Sequence, residues 1–167
     1  MRGAAQPRGA EATIGDCGSV RRIRSHKEKM SESTPTARPL RVFIADDSPA
    51  VSEMLVALIY DRGRIEVVGT GDSEAGSIES IQRLRPDVVV LDLQLKGGSG
   101  TNVIRALRAD PSFASTRLFV ASNHVSEPMR AGCLGLGADG YYDKVKELGR
   151  LATALAELSR SARTTAS

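Results

Sequence analysis

The sequence predicts an α/β fold: a doubly wound, five-stranded parallel sheet with helices on both faces, (βα)5. Two features of the chain lead to this prediction. From Leu40 onward, short apolar runs alternate five times with segments of helical period. The central run, Val88–Leu91, is continuous and rich in β-branched residues, which is typical of a strand buried on both faces. Alternating strands and helices favour parallel pairing with right-handed crossovers.

The first half of this pattern contains three predicted strands and two helices. The strands are residues 40–45, 65–68 and 88–91. Ser48 followed by Pro49 predicts the start of the first helix, because serine is favoured at the N-cap and proline at the first helical position. Apolar residues then continue at helical spacing: Val51, Met54, Leu55, Leu58 and Ile59. A similar spacing predicts the second helix: Ala75, Ile78, Ile81 and Leu84.

The second half repeats the pattern. Val103, Ile104 and Leu107 mark a third helix, and residues 118–121 a fourth strand. Residues 129–136 form a fourth helix that Gly132 and Gly135 weaken, each costing about 1 kcal/mol relative to alanine. Residues 140–143 are the fifth strand, and a leucine stripe predicts the last helix: Leu148, Leu151, Leu155 and Leu158. The flavodoxin-like strand order suits five such units, and its binding sites lie outside the carboxyl ends of the strands.

The folded part is predicted to span residues 40–160, between a basic N-terminal tail, residues 1–39, and a short end, residues 161–167. The tail has eight Lys/Arg and four acidic residues, whereas the whole chain carries a formal net charge of +3. The net positive charge of the chain therefore comes from the tail. Few large apolar residues are present there, so both ends are expected to be disordered. Met30 offers an alternative start, which would make residues 1–29 an upstream extension of the gene.

Composition argues against several classes of protein. With no Trp, three Phe and three Tyr, little is available for stacking on nucleic-acid bases, and we interpret the basic run at residues 21–27 as solvated. Salt-dependent binding that disappears on deletion of residues 1–29 would instead support a nucleic-acid binder. No apolar run approaches the about 20 residues of a membrane span. Cys17 and Cys133 lack metal-site spacing, so a reducing, cytoplasmic setting is expected.

Polar residues follow four of the five predicted strands. Asp46 and Asp47 follow the first, Asp92 the third, Ser122 the fourth and Lys144 the fifth. Taken singly, such residues are ordinary helix caps, strand ends and surface charges. Together, three converging carboxylates would repel one another unless a cation lies among them, and their hard oxygens suit Mg²⁺. A carboxylate can also act as a nucleophile and form an acyl phosphate, which other charged and hydroxyl groups stabilise. The pattern predicts phosphoryl transfer to Asp92, with Mg²⁺ held by Asp47 and Asp92, and with Lys144 and Ser122 at a solvent-lined site.

Four motifs in this order resemble those of response-regulator receiver domains of bacterial two-component systems. They are FIADDS at 43–48, VLDL at 90–93, VASN at 120–123 and GADGYYDK at 137–144. The resemblance covers residues 40–160. It implies that Asp46, Asp47 and Asp92 bind Mg²⁺ together with the backbone carbonyl of Gln94. It also implies that a histidine kinase or phosphotransfer protein phosphorylates Asp92.

In that family the residues matching Ser122 and Tyr141 move on phosphorylation, and we expect Tyr141 to rotate inward as Ser122 is drawn toward the phosphoryl group. The residues matching Gln94 and His124 tune dephosphorylation in the family. A water-positioning Gln94 would shorten the phosphoryl lifetime, and a bulky His124 would lengthen it. Two positions depart from the family pattern, since Lys96 and Val145 stand where proline is common.

Few residues remain beyond the last predicted helix, so we expect a stand-alone regulator without a separate output domain. Its output would be protein binding through the face made by the fourth helix, the fifth strand and the last helix, as in chemotaxis-type regulators, or onward transfer in a phosphorelay. The alternative is a scaffold with a receiver fold that acts without phosphorylation. The intact acid pair, acceptor, hydroxyl and lysine argue against that alternative.

Overall fold

The computed structural model describes residues 38–61 and 63–164, and it contains a central sheet of five strands. These are β1 (Leu40–Ala45), β2 (Ile65–Gly71), β3 (Val88–Leu91), β4 (Arg117–Ser122) and β5 (Gly140–Asp143). All neighbouring strands are parallel, in the order β2–β1–β3–β4–β5. This order confirms the predicted flavodoxin-like, doubly wound fold.

Five α-helices cover the two faces of this sheet. They are α1 (Pro49–Ile59), α2 (Glu74–Leu84), α3 (Gly100–Ala109), α4 (Glu127–Gly135) and α5 (Leu148–Thr164). Ser48 precedes Pro49 in extended conformation, as predicted from their order. The side chains of Ser99 and Ser126 accept hydrogen bonds from backbone N–H groups in the first turns of α3 and α4.

The core has two layers, one on each face of the sheet. Along β3, Val88 and Val90 pack in the layer that contains the buried residues of α1 and α5. Val89 and Leu91 point the other way and pack with residues of α2, α3 and α4. All four side chains are at most 1% exposed. A strand with helices on both sides has no polar face, which explains the continuous apolar run.

Two short elements lie outside the predicted pattern. Gln94–Leu95 and Gly98–Ser99 pair as a small antiparallel hairpin, with Gly97 at its turn. Gly97 has a φ of +69°, a conformation that glycine adopts without steric cost. A 3-10 turn at Pro111–Phe113 follows α3. Elements of two or three residues are too short to produce a periodic sequence signal, so the sequence did not reveal them.

Both predicted boundaries of the folded part are corrected by the structure. Helix α5 continues to Thr164, four residues past the expected end, and the Ser161 hydroxyl donates to the Glu157 carbonyl within it. At the other end, Arg38 forms hydrogen bonds of 2.7 and 2.8 Å with the Asp87 carboxylate, so ordered chain begins before Leu40. This bidentate ion pair with Asp87 holds Arg38 in a defined position, although composition alone assigns Arg38 to the tail. Residues 1–37, with Cys17 and the alternative start at Met30, and residues 165–167 lie outside the described residues.

Within the described ranges, no helix has both the length and the apolar character needed to cross a membrane. Cys133 lies in α4 with its thiol unpaired and buried, and burial raises the pKa of that thiol. A protonated, buried thiol behaves as a small apolar side chain, which is how Cys133 contributes to the core.

Candidate functional site

Three carboxylates converge at the carboxyl ends of β1 and β3. Asp46, Asp47 and Asp92 each offer one oxygen within 4.8 Å of the others, and we call these three residues the acid pocket. The backbone N–H of Asp92 donates to the carbonyl of Ala45 at 2.8 Å, which aligns the two strand ends. The predicted convergence of these side chains is therefore present in the structure.

Lys144 lies inside this cluster. Its Nζ is 2.5 Å from Oδ2 of Asp46 and 2.7 Å from Oδ2 of Asp92. The Lys144 side chain is only 4% exposed, so the expectation of a solvent-lined lysine is wrong. Burial follows from the charge balance, because two buried carboxylates need a cation close to them. Three carboxylates and one ammonium leave a formal charge of −2, which a divalent cation would neutralise.

The two acids of the pair have different surroundings. Oδ1 of Asp46 accepts a hydrogen bond from the backbone N–H of Ser48 at 3.0 Å, so Asp46 also holds the start of α1. Its Oδ2 is buried, contacts Lys144 without hydrogen-bond geometry, and has no hydrogen-bond donor among the described residues. Asp47 is exposed, and no described residue donates a hydrogen bond to its carboxylate. Asp47 can therefore ligate a metal directly, whereas Asp46 is already committed to protein contacts.

These observations fit a magnesium site. A buried carboxylate oxygen without a donor is costly, and a metal-bound water would satisfy it. Hard carboxylate oxygens at this spacing, with an opening to solvent at Asp47, match the preference of Mg²⁺ for few protein ligands and several waters. Gln94 follows Asp92 by two residues, and its side chain is exposed. Its backbone carbonyl is the group that the resemblance assigns to the metal.

The chain returns from the acid pocket to α3 through Gly100. A Cβ atom on Gly100 would lie 2.1 Å from the carbonyl oxygen of Asp92, so only glycine fits. The backbone N–H of Gly100 donates to the carbonyl of Leu93 at 3.0 Å. This close approach fixes the backbone around Asp92, and the sequence alone does not reveal it because an isolated glycine has many uses.

The hairpin after Asp92 is fastened to the start of α2. Oε2 of Glu74 accepts hydrogen bonds from the backbone N–H of Ser99 at 2.7 Å and from Nδ2 of Asn102 at 2.9 Å. The Ser99 N–H, followed by the Asn102 amide, lowers the pKa of Glu74. Lys96, one of the two departures from the family pattern, forms an ion pair with Asp72 in the same region.

Ser122 is the last residue of β4, and Tyr141 lies in β5 opposite Val120. Ser122 is 1% exposed, and its Oγ accepts a hydrogen bond from the backbone N–H of His124 at 3.1 Å. The Tyr141 hydroxyl donates to the His124 carbonyl at 2.5 Å. Tyr141 is 3% exposed, and burial raises the pKa of its phenol. The ring is thus already inward, so the exposed starting position that we expected for it is wrong. His124 itself is exposed.

Arg130 of α4 makes further contacts in this region that were not predicted from the sequence. Its Nη1 donates to the Tyr141 carbonyl at 2.8 Å, and its guanidinium lies 5.2 Å from the centroid of the Tyr141 ring. Its Nη2 is 3.4 Å from Oε2 of Glu147. Arg130 therefore ties α4 to β5 and to the loop before α5. The sequence contains no signal for this, because the contact joins residues of separate elements.

Val145, the second departure, is 80% exposed in the loop between β5 and α5. This loop is held without proline. Oδ1 of Asp143 accepts from the backbone N–H groups of Val145 at 2.7 Å and Lys146 at 3.1 Å. Oε2 of Glu147 accepts from the backbone N–H of Asp143 at 3.0 Å. Local hydrogen bonds thus define the loop shape in place of a proline ring.

Comparison with known proteins agrees with this architecture and these motifs. The profile of the response regulator receiver domain matches residues 42–156. The chain belongs to this family. Receiver domains are the phospho-acceptor domains of two-component systems, and they interact with histidine kinases and downstream effectors.

Curated relatives of this receiver domain include longer proteins. It is 35% identical over 107 residues to the nitrate/nitrite response regulator protein NarP of Escherichia coli, covering 64% of this chain and 49% of NarP. It is 39% identical over 85 residues to a protein-glutamate methylesterase/protein-glutamine glutaminase of Myxococcus xanthus, covering 51% of this chain and 23% of that protein. The chain thus spans less than half the length of these relatives, and the matches concern their receiver part.

Solved structures show the same fold. A two-component response regulator of the LuxR family from Aurantimonas sp. superimposes with a TM-score of 0.66 at 25% identity, covering 74% of this chain and 86% of that one. The response regulator domain of Thermotoga maritima CheB superimposes with a TM-score of 0.63 at 23% identity, covering 75% and 96%. The second likeness concerns the fold alone.

Proposed function

We propose that Asp92 accepts a phosphoryl group from a histidine kinase or phosphotransfer protein, in a reaction that depends on Mg²⁺. The observation that supports this most directly is the charge arrangement of the acid pocket. Asp92 is 6% exposed and has Lys144 Nζ 2.7 Å from one carboxylate oxygen, and two further carboxylates lie beside it. A structural ion pair would need one carboxylate for one lysine, not three.

In the proposed transfer, a carboxylate oxygen of Asp92 attacks phosphorus and forms the new O–P bond. The P–N bond of the donor phosphohistidine breaks, its electron pair stays on the imidazole nitrogen, and the imidazole takes up a proton from solvent. Lys144 is placed to neutralise one phosphoryl oxygen. Ser122 accepts a hydrogen bond through Oγ, so its own hydroxyl proton can be donated to another phosphoryl oxygen.

The metal would be held by the carboxylates of Asp47 and Asp92, the backbone carbonyl of Gln94, and Asp46 through water. When bound, Mg²⁺ would supply neutralisation of charge on the transferred group. Lys144, which contacts Oδ2 of both Asp46 and Asp92, would keep these two carboxylates in position during the reaction.

The proposed output is a change in the surface formed by α4, β5 and α5, which we call the switch face. Ser122, moving toward a phosphoryl oxygen, would release the His124 N–H, and with it the segment that holds the Tyr141 hydroxyl. The changed face would bind a target protein, or Asp92 would pass the phosphoryl group onward in a relay. Gln94 and His124 would tune the phosphoryl lifetime, Gln94 by positioning the attacking water and His124 by blocking it.

Phosphorylation with a small donor tests the proposal. Acetyl phosphate and Mg²⁺ should add one phosphoryl group to the wild-type protein, detected by intact-mass spectrometry, and none to Asp92→Asn. An Asp92→Asn protein that is modified at the wild-type rate would show that the acceptor is another residue. If the unmodified Asp92→Asn protein binds the target as tightly as phosphorylated wild type, the chain is a scaffold that does not need phosphorylation.

Two expectations from the sequence stay predictions. Immunoblotting of host extract would check the stand-alone arrangement, since the chain has a mass of 17.8 kDa and a larger native product would contradict it. Fractionation of the same extract would check the cytoplasmic location.

A further inference from the structure

Lys96 places a second ammonium group beside the acid pocket. Its Nζ lies 2.6 Å from Oδ2 of Asp72, and both side chains are more than half exposed, at 59% and 52%. Lys96 is in the hairpin that follows Asp92, at a position where the family commonly has proline. Neither Lys96 nor Asp72 has a part in the proposed chemistry.

The backbone at both positions is held independently of this ion pair. The Lys96 N–H donates to the Asp72 carbonyl at 2.9 Å, and the Glu74 N–H donates to the Lys96 carbonyl at 3.2 Å. Ser73 and Lys96 pair as a parallel bridge. Replacing either side chain should therefore leave the hairpin in position and change only where charge is located.

Both residues lie close to the metal-binding carboxylates. The Asp46 N–H donates to the carbonyl of Gly71, the residue before Asp72, at 2.9 Å. Asp46 and Asp72 line the same cavity. The hydrogen bond and charge of Asp72 raise the pKa of Lys96, and the charge of Asp47 raises it further. Asp72 follows Gly71, whose carbonyl accepts from Asp46, and Lys96 is joined to Asp72 through both backbone and side chain, so the Lys96 ammonium lies at the same edge of the sheet as the acid pocket.

We propose that Asp72 holds the Lys96 ammonium away from Asp47 and so prevents it from competing with a divalent cation for the acid pocket. This inference rests on the proposed magnesium site and assigns Asp72 and Lys96 as residues that set its affinity. The Lys96 ammonium is a mobile point charge on a flexible four-carbon chain. Its ion pair with Asp72 is exposed and contributes little to stability. Asp72 therefore restrains the position of the ammonium and does not stabilise the fold.

The test measures Mg²⁺ affinity for the full chain and for Asp72→Asn, Lys96→Met and the double variant. Amide chemical shifts in ¹⁵N NMR, followed during a MgCl₂ titration at low ionic strength, give the dissociation constant without any phosphotransfer. Asp72→Asn should weaken binding by about three- to tenfold, the size that Coulomb's law gives in water for one unit charge several ångströms from a divalent ion. Lys96→Met should not weaken it, and the double variant, which like wild type has no net charge at this pair, should bind like wild type.

A matched ion pair provides the control. Asp61 and Arg64 are 3.7 Å apart and 44% and 52% exposed. They lie just before the first residue of β2, at the edge of the sheet opposite the acid pocket. Asp61→Asn and Arg64→Met remove the same charges far from the acid pocket and should leave the Mg²⁺ affinity unchanged. Far-UV circular dichroism of every variant should match wild type.

Three results would overturn the inference in distinguishable ways. If Asp72→Asn weakens binding equally with and without Lys96, Asp72 acts through its own charge. If Lys96→Met alone weakens binding as much as Asp72→Asn, the pair supports the hairpin mechanically. If wild-type protein shows no Mg²⁺-dependent shifts around Asp92, the metal site of the proposed function is itself wrong.

Discussion

Lys144 is the residue on which the charge balance of the acid pocket depends. It is the cation for Asp46 and Asp92, with Nζ at 2.5 and 2.7 Å from their oxygens. Removing one partner from a buried ion pair leaves the other charges uncompensated, which is more costly than the pair was worth. Lys144 thus has two roles in the proposed function. In the unphosphorylated protein it compensates the charge of the buried carboxylates, and after phosphorylation it would neutralise a phosphoryl oxygen.

We predict that Lys144→Met lowers the free energy of unfolding by about 1–3 kcal/mol in the absence of metal, because the clustered carboxylates then repel. Saturating Mg²⁺ should restore part of this loss, and should stabilise the variant more than wild type. Urea denaturation with and without Mg²⁺ measures both effects. Lys146→Met, an exposed control two residues away, should stay within about 0.5 kcal/mol of wild type. A Lys144→Met protein as stable as wild type without metal would contradict the charge argument.

Asp46 and Asp47 should contribute unequally to metal binding. Oδ1 of Asp46 accepts from Ser48 N–H and its Oδ2 is buried against the Lys144 ammonium, whereas Asp47 is exposed. We predict that Asp47→Ala weakens Mg²⁺ binding by at least about tenfold, the loss typical even of residues that only support a ligand. Asp46→Ala should weaken it less. Calorimetric or NMR titration measures both constants, and an unchanged affinity in Asp47→Ala would remove Asp47 from the metal site.

At the scale of elements, the Glu74 carboxylate adds a charged contact between α2 and the hairpin after Asp92. Glu74 accepts from Ser99 N–H and from Asn102, which lowers its pKa below the ordinary value of 4.5. A carboxyl group with a lowered folded pKa contributes stability above its unfolded pKa and loses this contribution as pH falls through the folded value. The hairpin contact is therefore acid-sensitive.

We predict that wild-type protein is more stable than Glu74→Gln at pH 7 and that this difference shrinks as pH falls from about 4.5 toward 3. Thermal denaturation of both proteins across this range measures the difference. Glu79→Gln, an exposed position in the same helix, serves as the control and should show little difference at pH 7. A constant difference between wild type and Glu74→Gln down to pH 3 would mean that the hydrogen bonds to Glu74 do not depend on its charge.

Helix α4 combines weak intrinsic propensity with a strong side-chain contact. Gly132 and Gly135 have open space where a Cβ would lie, so packing does not require glycine at either position. Both lower the helix propensity by about 1 kcal/mol relative to alanine. Arg130 compensates by bonding to the Tyr141 carbonyl at 2.8 Å. Besides the packing of Cys133 in the core, Arg130 joins α4 to β5, and an element joined in this way is suited to shift when that contact changes.

At the scale of the whole molecule, the acid pocket and the switch face are joined through Ser122, His124 and Tyr141. Ser122 accepts from the His124 N–H, and the His124 carbonyl accepts from the Tyr141 hydroxyl. A pull on Ser122 from the phosphoryl side would be transmitted to Tyr141 and from there to Arg130 and α4. Such a chain couples a local charge event to a packing element, which a switch requires.

We predict that beryllofluoride with Mg²⁺ changes amide hydrogen exchange across residues 122–145, with the largest change in α4. Exchange should change little in β1 and β3, whose residues are buried in both core layers. Hydrogen-exchange mass spectrometry of wild type with and without beryllofluoride measures this, and Asp92→Asn is the control that should show no change. Changes confined to the loop after Asp92 would mean that the switch face does not transmit the signal.

Much of the fold was predictable because local patterns carry it. The alternation of apolar runs with helical spacing predicted all five strands of the sheet and all five helices. Ser48 and Pro49 marked the start of α1 correctly. The ends of β1 and β3 were predicted correctly, so the convergence of Asp46, Asp47 and Asp92 followed from a parallel sheet before any distance was known. The end of β2 was not, because this strand continues through Gly69 to Gly71, three residues past its predicted end.

What the sequence by itself determined is thus the order of elements, the family and the membership of the acid pocket, because period and motif are properties of neighbouring residues. Tertiary structure alone decided the contacts between distant residues: the burial of Lys144, the inward ring of Tyr141, and the pairing of Lys96 with Asp72. The physical reason is that burial and ion pairing depend on which elements meet in space. Side chains 24 or 52 residues apart in sequence, as in the Asp72–Lys96 and Asp92–Lys144 pairs, leave no periodic trace of their contact.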